Sequence, residues 1–409
     1  MRAVLTTWCA VWTLAACAAT RPAATREAPA DVTVADGRWR LHGREAASLR
    51  RERLGSRVHH VRLTPLADAP EVDLPALVPP TVVAGPRGTT AYVKVLLDDD
   101  VVAECAVRPD RLDAGHALQQ AFAEVTGRAT VVDTHATRLE VRVVAGWPVV
   151  LGAAEFLERG GHYGAVRLAA ANAAERGVFC STEARGHART FAALVDALVR
   201  GLGGAGPDAA RVFHRLEAAG GWAGFADTER RTREDGAHVE VTFVALVQSG
   251  LPVMHAVDEA WVEVAGPDGE LQLARSLRRE AGAVVRHQSV AHVRGRLQWH
   301  DEESGAARDL GAQAPASARA LRAAYARLAA GEASPGVFLR WMPGMDATGL
   351  VEESLARRGR AGPGATLRAT LQGASARAHC EFAVDQHGEV TQSRVAWDDG
   401  WLTLVRLGR

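Results

Sequence analysis

The stretch His238–Val247, HVEVTFVALV, alternates residue by residue, with Val239, Val241, Phe243, Ala245 and Val247 on one side. A run of period two is a half-buried strand, and a strand has to find partners for its backbone on both flanks. Those partners are written close by. WVEVAGPDGELQLARSL reads as a hairpin turning at Pro267-Asp268-Gly269, and SVAHVRGRLQW as a further strand. LRATL, HCEFAVDQHGEVTQSRVAW and WLTLVRLG complete an antiparallel meander whose turns fall at Gln386-His387-Gly388 and Asp398-Asp399-Gly400. Further upstream, AYVKVLL and VVAECAV flank the acidic turn Asp98-Asp99-Asp100, and RLEVRVV alternates again.

Helical periods interrupt this pattern. HARTFAALVDALVRGLGG places Phe191, Leu194, Val195, Leu198 and Leu202 on one face and stops at Gly203-Gly204. PDAARVFHRLEAAGG repeats the arrangement between Pro207 and Gly220. ASARALRAAYARLAAGE aligns Leu321, Tyr325 and Leu328, and the alanines from Ala169 to Ala174 read as a short packed helix. Hairpins with a few amphipathic helices predict an α+β fold in two units, residues 89–220 and 221–409. Residues 38–88, rich in proline, read as an extended segment lying along a domain surface. A chain of 409 residues has room for this arrangement.

The N-terminus supplies an address. After Met1-Arg2, an apolar run leads to Leu14-Ala15-Ala16-Cys17, and the 1–16 segment has the anatomy of a secretory signal peptide. Leu14-Ala15-Ala16-Cys17 resembles the lipobox of bacterial lipoproteins. The resemblance implies cleavage before Cys17, acylation of that cysteine with palmitate-type chains, and anchoring to a membrane. At about 0.8 kcal/mol per buried CH₂, several acyl chains hold firmly without a spanning helix. Ala18 and Ala19 follow where lipoproteins retained in the inner membrane carry Asp, so the resemblance points to the outer membrane of a Gram-negative envelope. Residues 17–37, rich in Ala, Pro and Thr, then read as the lipid anchor and a flexible tether.

Export permits disulfides. With Cys9 in the leader and Cys17 acylated, Cys105, Cys180 and Cys380 remain. Cys105 and Cys180 lie in one candidate domain and form the preferred pair; Cys180–Cys380 is the rival, and three buried thiols the plain alternative.

Lys+Arg and Asp+Glu both number 48, a balance that removes the basic excess expected of a nucleic-acid binder. Lys94 is the one lysine, so an arginine pair such as Arg50-Arg51 or Arg357-Arg358 reflects composition before it reflects phosphate binding. The serine-hydrolase elbow, the Walker loop, the HExxH helix and paired CxxC are all missing from the sequence. Three weaker groupings remain. Cys180 with His187 offers a nucleophile and a base. His300 with Asp301, Glu302 and Glu303 offers metal-ligand types, but neighbours on one strand alternate faces. Glu155, His162 and Tyr163 surround a Gly-Gly turn of the kind that holds an anion at a helix start. They read better as a structural cysteine, a polar turn and a simple helix-start turn, in that order. The tryptophans of the second half, Trp222, Trp261, Trp299, Trp341, Trp397 and Trp401, read first as core and rim packing, with an apolar cleft as the alternative.

The expectation is therefore a non-catalytic cell-envelope lipoprotein acting as a binding or assembly module, without catalytic, cofactor-binding or metal residues. Its partners would be the membrane, through lipid on Cys17, and an envelope protein, lipid or glycan, and not nucleic acid. The alternatives are a lipid-anchored hydrolase with dispersed active residues and a structural subunit of an envelope complex.

Overall fold

The computed structural model describes residues 31–34, 39–42, 59–62, 73–76, 81–85 and 88–98, and 101–407 apart from 184–186, 204–210, 219–220, 250–253, 333–335, 346–347, 375 and 398–399. The leader, Cys17, most of the tether and the tips at Asp99-Asp100 and Asp398-Asp399 lie outside these residues. The chain divides into two compact units, one of Thr20–Asp208 with Val247–Ala256, the other of Ala209–Leu246 with Val257–Leu407.

The α+β expectation is overturned. Strands in two large antiparallel sheets dominate, and the described residues contain three helices: α1 (Ala114–Thr126), α2 (Ala188–Gly203) and α3 (Ala318–Ala330). None is long and apolar enough to cross a membrane. Two segments read as helical are strands. Arg211–Ala218 pairs with Trp222–Thr232 on one side and with Gly400–Arg406 on the other. Tyr163–Ala173, which holds the alanine run, lies between Trp147–Glu158 and Arg176–Thr182. Ala169, Ala170 and Ala171 are all at most 1% exposed. Alanine suits a strand whose two faces are both covered closely, and that packing outweighs its helix propensity.

The N-terminal unit is built on a nine-stranded sheet. It takes in His59–Arg62, Asp73–Ala76 and Thr81–Gly85 from the proline-rich stretch, and α1 and α2 pack on its alanine-rich strand. The helix α1 carries Leu118, Phe122 and Val125 inward at helical spacing. Cys105 and Cys180 face each other across paired strands and are joined by a disulfide, with Cα atoms 4.1 Å apart. Closing a loop of sequence separation 75 contributes about 4 kcal/mol in the chain-entropy account. Cys380 is free and buried.

In the C-terminal unit a fourteen-stranded sheet runs as two meanders. One descends strand by strand from Arg211–Ala218 to Ala307–Gly311; α3 follows; the other ascends from Val337–Trp341 to Gly400–Arg406 and pairs with the first strand. The sheet rolls up. Trp261 and Trp341 stand nine strand positions apart, which in a flat sheet would be roughly 40 Å. Their ring centroids are 5.1 Å apart. The result is a barrel-like wrap with one face of α3 packed on its inner side. Leu321, Tyr325 and Leu328 of α3 share one buried cluster with Leu216, Val244, Leu355, Leu367, Phe382 and Leu402 from strands around the wrap.

The helix is well specified locally. Ser317 caps its start by accepting from the Ala320 N–H, and Gly331 ends it at φ +85°. The Ser317 hydroxyl also donates to the Gly269 carbonyl at 2.7 Å, fixing the helix to the turn at Pro267-Asp268-Gly269.

Candidate functional site

The strand that opened the sequence reading shows where the site lies. The residues of His238–Ser249 that face α3 are Glu240, Thr242, Val244 and Leu246, the set opposite to the one chosen by hydrophobicity. Two polar residues therefore project to the inside of the wrap. Thr242 meets Thr228 of the neighbouring strand Trp222–Thr232, hydroxyl to hydroxyl at 2.8 Å.

Around them lies a cavity of about 100 Å³. Its apolar lining includes Ala226, Val244, Leu321 and Leu404, and its polar lining Tyr325, Arg340 and His214. A shallower cavity of about 300 Å³ adjoins it, bounded by Arg231, His238, Glu263 and Arg319. Arg230, Glu240, Ala318 and Arg322 line both. These shared side chains form a wall of alternating charge. Arg230 donates to Glu240 at 2.9 Å and grips Glu389 with both terminal nitrogens at 2.6 and 2.9 Å. Arg322 reaches the same Glu240 oxygen at 2.5 Å and Glu389 at 3.3 Å.

Each member is placed by a separate element. Glu389 closes a turn in which the Asp385 carboxylate accepts from the backbone N–H groups of His387 and Glu389. Arg406 on the last strand holds the other Asp385 oxygen at 2.9 Å. Gly388 of that turn sits against α3 with φ +73°; a Cβ there would lie 1.9 Å from the Arg322 carbonyl oxygen.

The protonation states follow from burial and charge. Burial works against ionisation of Glu240, but Arg322 and Arg230 prevail and hold it below the usual carboxylate range. Burial and the Glu240 charge push Glu263 up, although it accepts from the Ala318 N–H at 2.8 Å and from Trp261. Beneath the cavity, Tyr325 and Arg340 both donate to the fully buried Glu353 at 2.8 Å. Burial, then the Glu353 charge, raises the Tyr325 phenol well above its ordinary value, and burial raises the Cys380 thiol similarly.

His214 donates to the Val390 carbonyl at 3.0 Å. Burial lowers it to about 4, with Arg406 and Arg230 adding to the fall. An imidazole with a folded pKa below its unfolded value of about 6.5 binds its proton more readily in the unfolded chain. Stability is therefore intact above about pH 6.5 and is lost as pH falls towards 4. We expect His214→Gln to remove roughly 2 to 3 kcal/mol of the acid loss between pH 7 and 4, read by urea unfolding at both pH values. Parallel pH curves for the two proteins would contradict the assignment.

The residues singled out from the sequence lie elsewhere. Cys180 is held in the disulfide, so the Cys180–His187 pair has no thiol to offer, and the Cys180–Cys380 alternative falls with it. His162 and Tyr163 are exposed at a chain reversal closed by Glu158 N–H to the His162 carbonyl, and Glu155 is exposed on the strand before it. His300 lies on the strand Arg296–Asp301, Asp301 accepts from the backbone of Glu303 and Ser304, and Glu302 accepts from Ser289. Trp261, Trp299 and Trp341 form one buried cluster.

No protein-family model matches the chain, and no curated protein matches it. A crystal structure of a beta-barrel-like protein of the domain of unknown function DUF1849 from Brucella abortus superposes with a TM-score of 0.41 and 10% identity, covering 48% of this chain and 95% of that one.

Proposed function

We propose that this protein is a lipid-anchored cell-envelope protein that works as a non-catalytic binding module, and that its binding site is the cavity beside α3. The observation that carries this reading is the chemical state of the cavity. Its phenol is raised far above neutral pH, its imidazole is neutral, and its strongest acids and bases are tied to one another. Groups held this way orient and select a ligand; they do not supply a nucleophile or a general base at neutral pH. Leu14-Ala15-Ala16-Cys17 and the Cys105–Cys180 disulfide support the envelope location.

The test uses the full-length chain expressed with its leader and extracted from membranes in detergent. Cys17→Ser should move the protein from the detergent phase to the aqueous phase, and retention in detergent would overturn the anchor. Native mass spectrometry of the extracted protein should show a retained small molecule, or its melting temperature should rise in a small-molecule extract of the envelope. A bare protein that no fraction stabilises would overturn the binding reading.

A further inference from the structure

The electrostatics of the two adjoining cavities say what kind of molecule fits them. The shallow cavity is lined by four arginines: Arg230 and Arg322 are tied to Glu240 and Glu389, Arg231 is tied to Glu229, and Arg319 stands beside them; the lining glutamates are Glu240 and Glu263. One of these, Glu263, is turned inward to cap the first N–H of α3 and is displaced towards its neutral form. The cavity therefore carries an excess of positive charge. The same field lowers His238: burial comes first, then the charges of Arg319 and Arg322. Arg319 forms no ion pair among the described residues; it donates to the Pro267 carbonyl at 3.3 Å and is exposed. The N-terminus of the thirteen-residue α3, through Ser317, Ala318 and Arg319, faces the same space and adds its partial positive charge.

Behind the wall the character changes. The deep cavity, about 100 Å³, is several times what a single water needs. Alanine, valine and leucine side chains cover much of it. The wall has a weak member. Arg230 holds Glu389 with two short bonds, whereas Arg322 reaches it at 3.3 Å and starts from the helix on the cavity side. A ligand that offers Arg322 a second anion can take the place of that longer contact.

Accepting the α3 cavity as the binding site, we propose that its ligand is a small organic anion, a carboxylate or phosphate monoester, whose charged group sits between Arg319 and Arg322 at the N-terminus of α3 and whose short apolar end enters the deep cavity. Arginine suits such groups because its planar fork binds two oxygens at once. A cationic ligand would meet like charge, and a neutral one would leave Arg319 unanswered.

Calorimetric titration of the detergent-extracted protein with four probes of four carbons each, butyrate, butyl phosphate, butanol and butylamine, tests this directly. Inorganic phosphate serves as a fifth probe without a chain. Butyrate or butyl phosphate should bind at least tenfold more tightly than butanol or butylamine, and butyl phosphate more tightly than inorganic phosphate. Arg319→Gln, an exposed substitution, should weaken the favoured anion by about five- to tenfold at unchanged melting temperature. Equal binding of butanol or butylamine would overturn the anion assignment and leave the binding reading standing. Equal binding of inorganic phosphate would overturn the role of the deep cavity. If no probe binds and no envelope small molecule is retained, the binding reading itself fails.

Discussion

Glu353→Ala should destabilise the C-terminal unit by about 3 to 5 kcal/mol. Glu353 has no exposed surface and accepts from two buried donors, the Arg340 guanidinium and the Tyr325 hydroxyl. Removing it leaves Arg340 charged, buried and without its main partner. Glu353 raises the Arg340 pKa against the effect of burial; without it burial pulls the value down, and a guanidinium starts so high that it keeps its proton all the same. The cost therefore comes from an uncompensated charge and not from lost attraction. A second protein separates the two. Tyr325→Phe, Arg340→Met and Glu353→Leu together remove every polar group of the triad and should restore stability to within about 1 to 2 kcal/mol of the parent. Urea unfolding reads both. A loss below about 1 kcal/mol in Glu353→Ala would show that water reaches the triad.

Gly388→Ala should cost about 2 to 5 kcal/mol and weaken the site as well. Two effects add. A residue with a Cβ in the left-handed region costs about 1 to 2 kcal/mol. Overpacking against a fixed neighbour costs about 1 to 3 kcal/mol, and here the neighbours are the backbone at Arg322 and Ala326, which cannot rotate aside. The turn must move away from α3 and carry Glu389 with it, which undoes the wall from one end. Calorimetric melting should show the loss, and butyrate affinity should fall with it. Gly305 provides the control: its φ is also positive, at +70°, but nothing lies within 4 Å, so Gly305→Ala should cost the backbone term alone. Equal losses at both glycines would show that the turn does not press on the helix.

The strands and hairpins were legible because alternation and turn residues are local. Pro267-Asp268-Gly269, Gln386-His387-Gly388 and the helix at Leu321, Tyr325 and Leu328 all stand where the pattern placed them. The fold class was not. Arg211–Ala218 and the alanines at 169–171 have helical spacing or propensity, and only their position between two strands makes them strands. The helix α1 was passed over although Leu118, Phe122 and Val125 recur at its period. The site was less legible still. Arg230, Glu240, Arg322 and Glu389 are single charges on four segments, and the rolling of the sheet brings them together. One local sign existed: Val244 and Leu246 make the face of Glu240 and Thr242 apolar further along the strand, as a face turned to the core requires.

The order of strands also says how the C-terminal unit can come into being on the ribosome. Its eight descending strands pair with their immediate neighbours as they emerge, and so do the six ascending ones. The seam between Arg211–Ala218 and Gly400–Arg406 is different: it joins the first strand of the unit to the last. Closing so long a loop is entropically harder than closing any hairpin, and nothing can close it until Gly400–Arg406 has been made. Until then the first strand offers a bare edge, with Leu216 and His214 uncovered, to any strand that passes.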